Sequence, residues 1–291
     1  MGRNQFWVFF FSKKTDMRQL IFTFLILTFF FSCKRNDLDL SQIQNLNGNR
    51  ISPFGHAGMG ISSQYPFNSF ESISNALNLG AEGVEIDIQM TKDSVLVLFY
   101  DRTLREQTNF EGLIYEKNWE EIKHATYKNP LFAEYKIVPL DQLFEHLKNV
   151  KDYQFFLDFK LYQPDNSDSY VSTYINAVIK TIEKHQLENN VLLSFFQQKY
   201  LEKLKLVRPN YKLVINNSFE NGILLADDLN AYGIILNNDN VTKSQIEQAH
   251  EEGIRVYLFG TYSKNDNLDA IEKHPDFILT DKVNHLVKVL K

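Results

Sequence analysis

Residues 80–93 read GAEGVEIDIQMTKD. Val84, Ile86 and Ile88 alternate with Glu85 and Asp87, the period of two that puts every second side chain on the same face of a strand. Branched aliphatic residues on one face and carboxylates on the other describe a strand packed against helices behind and open to a polar space in front. From Ile51 onward the rest of the chain repeats this theme, with short apolar or β-branched runs separated by helical patterns. The runs fall at 51–57, 83–88, 153–159, 190–195, 211–216, 232–236, 254–259 and 276–279. Eight strands, each followed by a helix and with no Pro/Gly/Ser linker between them, predict a single α/β domain over 50–291, a (β/α)8 barrel of the TIM type.

Local signals agree. Asn68 with Glu71 three residues on predicts a helix cap, and Phe70, Ile73 and Leu77 then share one helical face. The stretch TKSQIEQAHEE at 242–252 starts on a Thr cap and stops at Gly253. An extra strand, SVLVLFY at 94–100, leads into a polar loop and a short helix near Trp119–Lys123. These predict a small insertion after the second strand, placed over one mouth of the barrel.

With 44% hydrophobic, 14% aromatic and 23% charged residues the chain has the composition of a globular protein with a sizeable core. Its formal charge is −5, and beyond residue 32 it is −8, from 27 basic and 35 acidic side chains. That balance argues against nucleic acid as a partner, because such binding rests on basic patches. The single cysteine, Cys33, excludes an intrachain disulfide and a four-cysteine zinc site.

Cys33 closes a signal-like segment. Residues 20–31, LIFTFLILTFFF, form an apolar core of twelve behind Arg18, shorter than the roughly 20 residues of a spanning helix. A small residue, Ser32, before a lone cysteine resembles the lipobox of bacterial lipoproteins, although Phe30 stands where an aliphatic residue is usual. Residues 1–32 are therefore expected to be a signal peptide, with Met17 a more natural start than Met1. Cys33 is expected to carry lipid, 33–49 to be a polar tether, and the protein to sit in a bacterial cell envelope. A free cysteine in a short anchor helix is the alternative.

In a parallel barrel the chemistry lies at the carboxyl ends of the strands. Three such ends carry polar residues that packing does not require: His56 in GHAG, Glu85 and Asp87, and Asp158 and Lys160 in FLDFK. Carboxylates this close repel unless a cation lies between them. With Asp158 as a third oxygen ligand and no clustered His or Cys, the set favours Ca²⁺ or Mg²⁺ over Zn²⁺.

The segments GHAGMG at 55–60, PFNSFESI at 66–73, GAEGVEIDIQMTKDSVLVLFYDRTL at 80–104, FLDFK at 156–160, SFF at 194–196 and ILTD at 278–281 resemble the glycerophosphodiester phosphodiesterase family. The strongest is GAEGVEIDIQMTKD, and the likeness runs over about residues 50–285. The resemblance implies a phospholipase-C-like barrel, one divalent cation on Glu85, Asp87 and Asp158, His56 as first catalytic histidine and Lys160 facing the phosphate. It also places Asn68 and Asp101 around the site. The departures are informative. Asp158 stands where Glu is usual, Ala57 where the family has a phosphate-gripping Arg, Phe67 where it has Glu, and Tyr100 where it has its second catalytic histidine. His124, in the insertion, is the one other histidine considered as a replacement. Two classes of function follow. One is a metal-dependent phosphodiesterase, weakened by these changes, acting on a small glycerol-containing phosphodiester or lipid headgroup with Tyr100 as proton donor. The other is a non-catalytic, metal-holding surface lipoprotein that binds phosphate esters or glycans.

Overall fold

The computed structural model describes residues 38–163 and 168–291. The signal peptide, Cys33 and the first part of the tether lie outside the described residues. Residues 42–291 form one compact unit.

Eight parallel strands close the barrel: β1 (Ser52–Gly55), β2 (Gly83–Met90), β5 (Gln154–Phe159), β6 (Val191–Phe195), β7 (Lys212–Asn216), β8 (Gly233–Asn237), β9 (Arg255–Thr261) and β10 (Phe277–Thr280). Each of the eight runs read from the sequence overlaps one of them. Closure comes from β1, which pairs in parallel with β10 on one side and β2 on the other. The insertion supplies β3 (Leu96–Leu98) and β4 (Val138–Pro139), antiparallel strands that extend the carboxyl end of β2. It has its own small core, with Val97, Phe99, Leu104, Ile114 and Ile122 fully buried.

The lower lumen is filled, as a barrel of eight strands requires. Phe54, Phe156, Leu192, Val214, Ile235, Tyr257, Phe277 and Leu279 form one cluster, in which the rings of Tyr257 and Phe277 stack at 4.0 Å. Gly83 is needed here, because a Cβ on it would lie 2.5 Å from the Phe54 ring. This plug is the floor of the site above it.

Two local readings change. The first helix, α1 (Phe70–Asn78), is capped by Ser69, whose side chain accepts from Ser72 N, and not by Asn68. Asn68 sits at φ +60°, a left-handed conformation that Asn tolerates better than most residues, and its side chain is committed to β2. Second, the later part of the segment read as a tether is docked on the barrel. Ile43 is buried, and Asn45 donates to the carbonyls of Arg50 and Pro275.

Candidate active site

The register between β2 and β5 brings the carboxylates together. Asp87 and Asp158 are direct neighbours across the two strands, and Glu85 lies one pleat below Asp87 on the same lumen face. Ligand atoms of the three side chains all lie within 4.8 Å of one another. Each has a protein partner that fixes it. Glu85 Oε2 accepts from Ala57 N at 2.9 Å. Asp87 Oδ2 accepts from Asn68 Nδ2 at 2.7 Å, while Asp87 N donates to Asn68 Oδ1 at 3.0 Å. Lys160 Nζ spans the remaining two, 2.9 Å from Asp87 Oδ1 and 2.6 Å from Asp158 Oδ2.

Burial pushes the Glu85 carboxyl up to about 8, aided by the charge of Asp87 and opposed by His56 and Lys160. Asp158 is raised by burial and by Asp87, against the pull of Lys160. Burial works against the Lys160 ammonium, but Asp87, Asp158 and Glu85 more than reverse it, so Lys160 is raised and stays charged. Two buried carboxylates, Glu85 and Asp87, and the half-buried Asp158 converge beside one ammonium. An all-oxygen set of this kind fits a hard divalent cation, and so passes the test that the sequence set for Glu85, Asp87 and Asp158.

His56 follows β1, the strand beside β2, and lines the same cavity as the carboxylates. Its Nδ1 lies 2.7 Å from Asp281 Oδ1, at the end of β10. Burial lowers the imidazole, but the Asp281 bond and the charges of Glu85, Asp281 and Asp87 outweigh it and lift His56 to about 9. The loop that presents His56 depends on glycine. Gly58 (φ +93°) and Gly60 (φ +90°) allow it to fold down, and a Cβ at either would lie within 2.5 Å of Ser72 or Asp281.

The insertion completes the rim. Tyr100 lines the same cavity of about 430 Å³ as His56, Glu85, Asp87, Asp101, Asp158 and Lys160. Its ring lies 4.8 Å below Lys160 Nζ and edge-on to Phe67 at 6.2 Å. Gln89, on the lumen face of β2, holds this loop by donating to the carbonyls of Phe99 and Asp101. Burial raises the Asp101 carboxyl, partly offset by the amide of Gln107. His124 is exposed and is not among the residues that line the cavity, so it does not stand in for the second histidine. Asp281 and Gln89 were missed as site residues. For Asp281 the visible signal was a charged residue at the end of the last strand, in ILTD.

A parallel barrel with three carboxylates, a lysine and a His–Asp pair at the carboxyl ends of its strands has the layout of a phosphoryl-ester hydrolase. The glycerophosphoryl diester phosphodiesterase family model matches residues 59–285, and the chain belongs to that family. It is similar to the glycerophosphodiester phosphodiesterase of Caldanaerobacter subterraneus, 27% identical over 81% of this chain and 96% of that protein. The enzyme of the same name from Bacillus altitudinis is 26% identical over 81% of this chain and 96% of its own length. Among solved structures, the fold is shared with an Oleispira antarctica phosphodiesterase in complex with the product sn-glycerol-3-phosphate. That match has 20% identity and a TM-score of 0.74, covering 84% of this chain and 98% of that one. The chain is a phosphodiesterase of this family.

Proposed function

We propose that this phosphodiesterase is metal-dependent and hydrolyses glycerophosphodiesters, with one divalent cation, Ca²⁺ or Mg²⁺, on Glu85, Asp87 and Asp158. The observation that carries the reading is the convergence of those carboxylates in one cavity with Lys160 and the His56–Asp281 pair. A cation held there supplies charge neutralisation for a phosphate oxygen. Lys160 adds a second positive group on the same side. With Nδ1 engaged by Asp281, His56 has Nε2 left to take a proton from the attacking oxygen. Neutralising Glu85 and Asp87 weakens the field that holds His56 protonated, which frees that nitrogen as a base nearer neutral pH. Tyr100, which lines the same cavity, would give a proton to the departing oxygen. Asn68 positions Asp87, and Asp101 orders the Tyr100 loop.

The test is turnover of glycerophosphodiesters by the purified protein with Ca²⁺, with Mg²⁺ and with chelator. Release of alcohol that depends on the cation supports the enzyme, and its absence with every metal favours the binder. The observation on the binder's side is Tyr100 itself, because a phenol gives up a proton less readily at neutral pH than an imidazolium does. We further propose that Cys33 anchors the protein in the cell envelope by lipid, supported by the apolar core at 20–31 and the lone cysteine after it. Cys33→Ser should then release the protein from membranes, and an intact N-terminus on a still membrane-bound variant would defeat the idea.

A further inference from the structure

The cavity has two apolar zones with the charged groups between them. Below lie Phe156, Ile235 and Leu279, almost wholly buried parts of the barrel plug and its surroundings. Above stands a collar at the opening made by Ile61, Phe67, Tyr100 and Tyr262. Ile61 is 53% exposed, Tyr100 47% and Tyr262 49%, so three of the nine large exposed apolar side chains among the described residues border this one opening. Large apolar groups left in water around a single mouth mark a surface that binds something apolar.

The collar belongs to the substrate path. Tyr262 lies 6.5 Å from the His56 ring, and Phe67 meets Tyr100 edge to face. Two positions where the resemblance implies polar groups, Glu at Phe67 and His at Tyr100, are here part of this carbon wall. The Arg expected at Ala57 is also missing from the cavity lining. The collar offers no cation to an anionic headgroup. It is also a poor cage for a cationic one, which needs free ring faces on several sides. The Tyr100 face is already covered by Lys160 Nζ, and one side of the collar is aliphatic Ile61.

We infer that the alcohol released from the phosphodiester is apolar, an alkyl-bearing group that packs on Ile61, Phe67, Tyr100 and Tyr262, and not a charged headgroup. The inference rests on the phosphodiesterase reading and deepens it. Phosphate lies at the carboxylates and Lys160, and the alkyl group at the opening.

The experiment is a chain-length series on the full protein. The substrates are sn-glycero-3-phospho esters of methanol, propanol and hexanol, with ethanolamine and choline esters alongside. Each methylene that leaves water for the collar should raise kcat/KM about fourfold, from ~0.8 kcal/mol per buried CH₂. The expected result is a series rising from methyl to hexyl, with the ethanolamine and choline esters below propyl. Ile61→Asn and Phe67→Gln should flatten the rise. A flat or falling series, or a preference for choline, overturns the inference and leaves the phosphodiesterase reading standing. If no ester is turned over with any metal, that reading fails separately. Titration calorimetry with the matching glycerol alkylphosphonates then still reads the collar. Affinity that grows with chain length and is lost in the two variants keeps the inference, and affinity independent of chain length overturns it.

Discussion

His56 Nδ1 and Asp281 Oδ1, 225 residues apart in the chain, lie 2.7 Å from each other because β1 closes the barrel onto β10. The bond fixes the ring, selects the tautomer with its free nitrogen toward the cavity, and stabilises the imidazolium. Asp281→Asn should remove the charge while keeping the shape. We expect kcat to fall by about 10²-fold, the order that a positioned acid–base group supplies. In the chelated protein the His56 titration, followed by NMR, should move below about 9, since the largest bonded contribution to its rise is lost. An unchanged rate with an unchanged titration would remove Asp281 from the mechanism.

The carboxylate cluster makes the metal-free protein sensitive to alkali. Glu85 and His56 both titrate in the fold above their ordinary values, near 8 against 4.5 and near 9 against 6.5. A group whose folded pKa is raised contributes stability that is fully present below its unfolded pKa and lost as pH climbs through the folded one. The melting temperature in chelator should therefore fall between about pH 5 and pH 9. Added Ca²⁺ or Mg²⁺ should raise it by mass action, and most strongly at the alkaline end where the carboxylates are charged. Thermal melts at several pH values, with and without cation, check this. A cation effect that is absent at every pH would sink the metal site.

How much of this was legible depended on whether a feature is local in the chain. The β2 strand could be read directly, since its alternation of Val84, Ile86 and Ile88 with Glu85 and Asp87 is a property of consecutive residues. Asp158 was readable because successive barrel strands align their carboxyl ends, and the observed register makes it the neighbour of Asp87. The His56–Asp281 contact was not readable, because it exists only where the sheet closes on itself. Asn68 was misread as a cap for a different reason. The pattern Asn68-x-x-Glu71 fits a cap one residue early, and only the fold shows the Asn68 amide spent on Asp87, leaving Ser69 to cap α1. Gln89 carries no local signal, because the carbonyls of Phe99 and Asp101 that it bonds come to it only when the insertion loop folds over β2.

Lys160 holds Asp87 and Asp158 together by two short contacts, and its own side chain is mostly buried. Removing one partner of a buried charge cluster leaves the others uncompensated, at a cost of about 3 kcal/mol. Lys160→Met should thus lower the metal-free melting temperature by roughly 10 °C for a domain of this size. Saturating cation should recover much of the loss, since it meets the same carboxylates, while turnover should stay low without the ammonium facing phosphate. A variant that melts like the parent in chelator would show that the bridge contributes little to the fold.

Tyr100 decides between a working acid and a vestige. It shares the cavity with His56, and its backbone carbonyl is held by the Tyr162 hydroxyl at 2.7 Å, so the side chain starts from a fixed position. Asp101 lies beside it, anchored through Gln89. Geometry is the first requirement of a proton donor, and Tyr100 lines the cavity that holds the carboxylates and His56. A phenol gives up its proton reluctantly at neutral pH, whereas an imidazole with an ordinary pKa near 6.5 can both give and recover one. Tyr100→His should therefore raise turnover of a glycerophosphodiester, by as much as about 10²-fold. Tyr100→Phe keeps the ring against Phe67 and Lys160 and removes only the hydroxyl. If Tyr100 is the acid, Phe should lose most of the parent activity with KM little changed, and the loss should shrink for esters whose alcohols leave without needing a proton. Equal activity in Tyr100 and Phe proteins would mean that the proton comes from water or from His56. A parent inactive with every metal, and awakened neither by Tyr100→His nor by Ala57→Arg, would leave the binding module as the better account of the site.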